Sequence, residues 1–96
     1  MLESRRVAVV VPVHDEERFL AETLETMPSF VDRIIVVDDA SSDRSVEIAE
    51  RSTREVVLLR HAHNQGVGAA IVSGYRRALA LGADVVAVMA GDGQMH

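Results

Sequence analysis

Carboxylates collect at the ends of apolar runs in this 96-residue chain. Asp15 and Glu16 follow the first run in "PVHDEE", Asp38 and Asp39 close the second in "DDASSD", and Asp92 follows the fourth in "AGDGQMH". Acids brought to one edge repel each other and raise one another's pKa values. A fold tolerates that arrangement where a divalent cation or a polyhydroxylated ligand takes up the charge. Helix electrostatics offers a plainer account of some of them. Asp15, Glu16 and Glu17 open a helix, where the macrodipole favours acids, and Asp43 suits a cap. The Asp38–Asp39 pair ends an apolar run several residues before the next helix, so helix-end electrostatics does not account for it and a functional reading is the stronger one.

Other candidate chemistry is weaker. His61 and His63 would share a face if their strand continued, but a His-x-His metal pair lacks a third ligand at useful spacing, and solvated loop histidines are the simpler reading. The segment "NQGVGAAI" does not satisfy a dinucleotide fingerprint. Gly66-x-Gly68 follows the third apolar run rather than the first, and Ile71 stands where the last glycine belongs. Three acids follow the first run, where they would repel a pyrophosphate. Gly66 and Gly68 then read as a tight loop entering a helix, and Gly74 as a point of close helix–sheet packing. Arg76 and Arg77 fall on the exposed side of that helix, and Met89 and Met95 read as core or loop filler.

The elements that must position these residues are legible from periodicity. The runs Val7 to Val13, Arg33 to Asp39, Glu55 to Arg60 and Asp84 to Ala90 do not alternate polar with apolar, and such β-branched runs predict strands of a parallel sheet covered on both faces. Three segments with helical spacing lie between them. The first carries Leu20, Leu24 and Met27 and stops at Pro28. The second follows the candidate caps Ser41, Ser42 and Asp43 and turns Val46 and Ala49 inward. The third has a stripe of Val67, Ile71, Gly74, Ala78 and Leu81, closed by Gly82. The order β-α-β-α-β-α-β with right-handed crossovers predicts one α/β domain over residues 1–96, a Rossmann-like half of a doubly wound, mainly parallel, three-layer sheet. Ligands of such sheets bind outside the carboxyl ends of the strands, where the acids lie.

Composition excludes several chemistries. The chain has no cysteine, hence no disulfide, thiolate zinc site or thiol nucleophile. All ten basic residues are arginine, which removes Schiff-base lysines and lysine phosphate clamps. A net charge of −5 without basic stretches among aromatics leaves no nucleic-acid footprint. With Phe19, Phe30 and Tyr75 as its aromatics, the core must be aliphatic. The apolar run before Pro12 is too short for a secretory signal, and no run reaches the length of a membrane span, so the chain reads as soluble and cytoplasmic by default.

Together the motifs from Val7 to His96 resemble the nucleotide-sugar-binding half of inverting family-2 glycosyltransferases with a GT-A fold, in particular the dolichol-phosphate mannosyltransferase-like branch. The residues that carry the resemblance are "PVHDE", "VDDASSD", "NQGVGAA" and "AGDGQ", in order at successive strand ends. The resemblance implies that Pro12, His14 and Glu16 line the nucleotide pocket, that Val37 and Asp39 contact base and ribose, and that Gly91 and Asp92 complete the donor site. Carboxylates accept hydrogen bonds from base nitrogens and ribose hydroxyls, which suits that work. It further implies that Asp92, assisted by Gln94, holds Mg²⁺ or Mn²⁺ against the diphosphate of a donor of the GDP-mannose or UDP-glucose type. The implied acceptor is a polyprenyl phosphate or a saccharide, and the implied parent is associated with the cytoplasmic face of a membrane.

Four positions depart from the family's pattern. Ala90 stands where the first acid of Asp-x-Asp belongs, Asp15 replaces an asparagine, Ala40 replaces a glycine, and His14 stands where an aromatic is common. The family's catalytic base lies beyond the metal motif, so no catalytic residue is expected within residues 1–96. The expectation is a truncated donor-binding domain that binds without turnover, with a sheet edge open to self-pairing. A non-catalytic nucleotide-binding or assembly module is the alternative. A two-component receiver domain fits less well, since its acid pair follows the first strand and it needs a lysine.

Overall fold

Strands and helices alternate throughout as β1 (Val7–Val13), α1 (Glu17–Thr26), β2 (Arg33–Asp39), α2 (Ser45–Glu50), β3 (Val56–His61), α3 (Val67–Ala80) and β4 (Val85–Val88). They are seen in a computed structural model that describes residues 5–90. Gly91, Asp92 and Gln94 lie outside the described residues. The strands form an all-parallel sheet in the order β3-β2-β1-β4, the α/β half-sheet that the sequence predicts.

Strand alternation divides the core into two layers. Val7, Val9, Val11, Val13, Ile34 and Val36 pack with Leu20 and Leu24 of α1 and Ala49 of α2. Ala8, Val10, Ile35 and Val37 face the other way and pack with Ala70 and Ala78 of α3. The chain moves outward from β1 to β2 to β3 and then crosses back to β4 on the far side of β1. A right-handed crossover that reverses direction must place its helix on the opposite face, which is where α3 lies. The reversal makes the β1–β4 boundary a topological switch point, and a crevice opens there at the carboxyl ends.

α3 approaches the sheet closely because its inward row is Ala70, Gly74 and Ala78, all buried. A Cβ on Gly74 would collide with Val10 Cγ1 and press on Val37 Cγ2 at 3.1 Å, so the close-packing role read for Gly74 holds. The stripe differs from the expected one at Val67, which is 58% exposed. The buried row runs at i, i+4, i+8 through Ala70, Gly74 and Ala78, so Gly74 and Ala78 are inward as expected and Val67 is not. In α2 the buried positions are Ser45 and Ala49, and Val46 is only partly buried.

The amino ends of the strands are stitched by acids. Asp32 Oδ2 accepts the Val7 N–H at 2.8 Å and Asp84 Oδ2 accepts the Arg6 N–H at 2.8 Å. Asp84 therefore precedes β4 instead of opening it. Arg54 donates to the carbonyls of Met27 at 2.9 Å and Val31 at 3.2 Å, closing the α1–β2 turn. The expectation that every strand is covered on both faces holds for β1 and β2. Among the described residues β3 and β4 flank the sheet, and Val88 is 42% exposed. No helix among the described residues is long and apolar enough to cross a membrane.

Candidate functional site

The alternation that builds the α3-side core also aims the functional side chains. Ala8 and Val10 face α3, and the next residues in that phase are Pro12 and His14. Val37 faces α3, and two residues on stands Asp39. β3 brings His61 into register beside Asp39. A cleft of about 410 Å³ lies at this edge, lined by Pro12, Val13, His14, Glu16, Asp39, Asn64, Gly66, Val67, Ala70, Ile71 and Ala90. That volume is within the range of small-ligand sites, ~300–1,000 Å³. One wall is apolar, from Pro12, Val67, Ala70 and Ile71, and the rim is polar.

Asp39 is the most constrained of these groups. Its carboxylate is buried and accepts from His61 Nδ1 at 2.8 Å, from the Gln65 N–H at 2.9 Å and from the Gly66 N–H at 2.8 Å. Burial pushes its pKa up, but the hydrogen bonds from Gln65, His61 and Gly66 and the nearby His61 charge outweigh burial and leave it below the ordinary carboxylate value. The same bonds pin the loop that enters α3, where Gly66 has a φ of 95°, a conformation open to glycine.

His14 is held from the opposite strand. Its Nδ1 lies 2.6 Å from the Asp39 carbonyl oxygen, which can only accept, so the proton is on Nδ1. In the neutral ring Nε2 accepts from the Asn64 side-chain amide at 3.3 Å, and it also lies 3.5 Å from Asp15 Oδ2, with which it pairs when the ring is charged. Its half-exposed ring forms part of the cleft wall, in the place where the resemblance expects an aromatic. Glu16 is the partly buried N-cap of α1 and also lines the cleft.

Pro12, His14, Glu16 and Asp39 are thus brought together as the sequence predicts. Val37 is not with them. Its side chain is fully buried against α3 and does not line the cleft, because it falls on the strand segment that Gly74 covers. Asp38, the other half of the acid pair, points to the α1–α2 side. It is 1% exposed, with Oδ2 accepting the Ser41 N–H at 3.3 Å and Oδ1 without a partner among the described residues. His61 is no solvated loop residue: it bridges Asp39 and Ser73, with Nε2 at 2.9 Å from Ser73 Oγ. Asn64, Ile71 and Ala90 are further wall residues: Asn64 has no expected role, Ile71 is expected in the inward stripe of α3, and Ala90 is expected only as the departure from Asp-x-Asp. The alternation rule extended past each strand end would have found Ala90 and His61.

Among the described residues the cleft walls contain no arginine, and the N–H groups of Gln65 and Gly66, just before α3, are taken by Asp39. Among the described residues no group of three His, Cys, Asp or Glu side chains is arranged to hold a metal, and Asp39 already spends three acceptor positions on the protein. The ligand set assigned by resemblance, Asp92 with Gln94, lies outside the described residues.

Comparisons with known proteins agree with the fold. Residues 8–96 match the family described as Glycosyl transferase family 2. An uncharacterized protein of Methanocaldococcus jannaschii is 36% identical over 91 residues, covering 94% of this chain and 37% of that protein. The undecaprenyl-phosphate mannosyltransferase of Micrococcus luteus is 33% identical over 93 residues, covering 92% of this chain and 38% of that protein. A UDP-N-acetylglucosamine–dolichyl-phosphate N-acetylglucosaminyltransferase of Methanococcus voltae is 27% identical over 109 residues, covering 97% and 43%. The chain thus spans about two fifths of the length of these relatives. Glucosyl-3-phosphoglycerate synthase of Mycobacterium tuberculosis, solved with Mn²⁺, UDP and glucosyl-3-phosphoglycerate, superposes with a TM-score of 0.67 at 25% identity, over 93% of this chain and 34% of that one.

Proposed function

This chain belongs to glycosyl transferase family 2, and from that premise we propose that its β1–β4 cleft binds the nucleotide of a nucleotide-diphosphate sugar. In the transfer, the acceptor oxygen bonds to the anomeric carbon as the bond to the diphosphate oxygen breaks, and the nucleoside diphosphate leaves into the cleft. The observation that carries the reading is the placement of His14, Glu16 and Asp39 around one apolar-walled cleft at the switch point of the sheet. The flat apolar wall and the His14 ring suit a base, and the carboxylates of Glu16 and Asp39 suit base N–H groups and ribose hydroxyls. Gly91 lies next to Ala90 in sequence and is assigned to the same donor site.

The donor is of the GDP-mannose or UDP-glucose type, and the acceptor is a polyprenyl phosphate or a saccharide. Support for the first comes from the UDP-bound structural relative, and for the second from the two polyprenyl-phosphate transferases. Asp92 with Gln94 would hold Mg²⁺ or Mn²⁺, which when bound neutralises the diphosphate that the described cleft walls leave without a counter-charge. The Mn²⁺ in the structural relative supports this assignment.

Calorimetric titration of the chain with GDP-mannose and with UDP-glucose, each with and without Mn²⁺, tests the reading. Binding to one of them that depends on Mn²⁺ and is lost in Asp92→Ala is the expected result. A folded chain that binds neither would overturn it.

A further inference from the structure

Ser73, His61 and Asp39 form a continuous hydrogen-bonded chain, 2.9 Å from Ser73 Oγ to His61 Nε2 and 2.8 Å from His61 Nδ1 to Asp39 Oδ1. The three residue types and the spacing are those of a hydrolase nucleophile, base and acid. The surroundings argue against that chemistry: neither His61 nor Ser73 lines the cleft, and the His61 side chain is only 11% exposed. The chain ends in the cleft at the other extreme, at Asp39.

Acceptor counting shows what it does there. An ionised carboxylate offers about four acceptor positions. Oδ1 is filled by His61 and Gln65, and Oδ2 takes Gly66, which leaves one position on Oδ2. Gln65 and Gly66 belong to the loop entering α3, whereas His61 belongs to β3, so His61 ties the carboxylate to the sheet itself. The carboxylate can only accept, which puts a proton on His61 Nδ1 and, in the neutral ring, makes Nε2 the acceptor of the Ser73 hydroxyl. Each group in the chain thereby fixes the proton of the next.

We propose that His61, oriented by Ser73, is a positioning residue that locks the Asp39 carboxylate so that its one remaining acceptor position is presented to the nucleotide. The inference rests on the reading of the cleft as a nucleotide site. His61 itself need not touch the ligand.

Two measurements on the full chain test it, one of which needs no nucleotide. Nitrogen-15 spectra should show neutral His61 protonated on Nδ1, and carbon-13 titration should show the Asp39 carboxyl titrating at higher pH in His61→Leu than in the parent or in His61→Asn, whose amide nitrogen can stand in for Nδ1. A proton on Nε2, or an Asp39 titration indifferent to the leucine, overturns the proposal. The second measurement is calorimetry with UDP and with GDP in the presence of Mn²⁺. For whichever binds, His61→Leu should weaken affinity about tenfold, and His61→Asn should recover most of that loss. Both variants break the link to Ser73, so a purely structural role would move them together, and that result also overturns the proposal. If His61→Leu does not fold, Ser73→Ala takes its place, with a weakening of about threefold expected and unchanged affinity counting against the idea. A parent chain that binds neither nucleotide defeats the cleft reading, and the Asp39 titration then decides on its own whether His61 positions the carboxylate.

Discussion

Asp15 and Asp43 tie the first two strand-to-helix loops together in both directions. Asp15 Oδ1 accepts the Asp43 N–H at 3.2 Å, and Asp43 Oδ2 accepts the N–H of Glu17, two residues after Asp15, at 3.1 Å. Ser42 adds its N–H to Asp15 Oδ1 at 2.7 Å, and Glu17 Oε1 takes the Arg44 N–H at 3.1 Å. These acids thus serve the loops beside the cleft. That is more than the helix-dipole role open to them from sequence, and different from a ligand role.

Asp15 also sits at a φ of 54°, a region that aspartate and asparagine enter more readily than other residues with a Cβ. Asp15→Asn keeps both the acceptor oxygen and the backbone preference, so its melting temperature should stay close to the parent's. Asp15→Ala loses both and should melt clearly lower, while Asp15→Gly, which keeps only the backbone freedom, should fall between. Thermal unfolding of the three variants checks the order, and an Ala variant as stable as the Asn variant would remove the loop-tying role.

Ala40 has a φ of 60° immediately after β2. Holding a residue with a Cβ there costs about 1–2 kcal/mol, while the flexibility that glycine adds to the unfolded chain costs about 0.4–1 kcal/mol. The first is the larger, so Ala40→Gly should stabilise the chain by about 0.5–1 kcal/mol. A shift of the urea midpoint upward at unchanged slope is the expected outcome; a downward shift would mean that the turn is not strained.

The depressed pKa of Asp39 has a consequence for acid stability. A carboxylate that titrates lower in the folded chain than in the unfolded one stabilises the fold above the unfolded value, and that stabilisation disappears as pH falls through the folded value. The window therefore opens near pH 4 and extends downward. Asp15 is lowered as well, chiefly by the Ser42 N–H against some desolvation, and contributes in the same window. Asp39→Asn should be less stable than the parent at pH 7 and should lose less on going from pH 5 to pH 3, with Asp15→Asn serving as the control for the second group. Urea denaturation at the three pH values reads the difference, and parallel losses in parent and Asp39→Asn would rule the assignment out.

The sheet was legible because its signals are local. Four β-branched runs, the Pro28 stop and the Gly82 cap each depend on a few neighbouring residues, and all found their places. Errors came where tertiary register decides. The inward row of α3 is set by how Gly74 meets Val10, which spacing alone does not reveal, so Val67 was placed inside and is exposed. Val37 and Asp39 are two residues apart on one face of β2, yet one is sealed under α3 and the other lines the cleft, since α3 begins between them. His61 looked like a solvated loop residue because its partners, Asp39 and Ser73, are 22 and 12 residues away in sequence.

Ala90 offers the sharpest test of the metal assignment. It lines the cleft where the family's pattern has the first acid of Asp-x-Asp, and the described walls carry no arginine to balance a diphosphate. A carboxylate introduced there would repel the diphosphate in the absence of metal and would add an oxygen ligand in its presence. Ala90→Asp should therefore change affinity for the bound nucleotide in opposite directions: weaker than the parent with EDTA, and about tenfold tighter than the parent with Mn²⁺, the size of one added charge-assisted contact. Titration of both proteins under the two conditions checks the sign as well as the size. A weakening under both conditions would show that the cation does not sit near residue 90, and the ligand set assigned to Asp92 and Gln94 would fall with it.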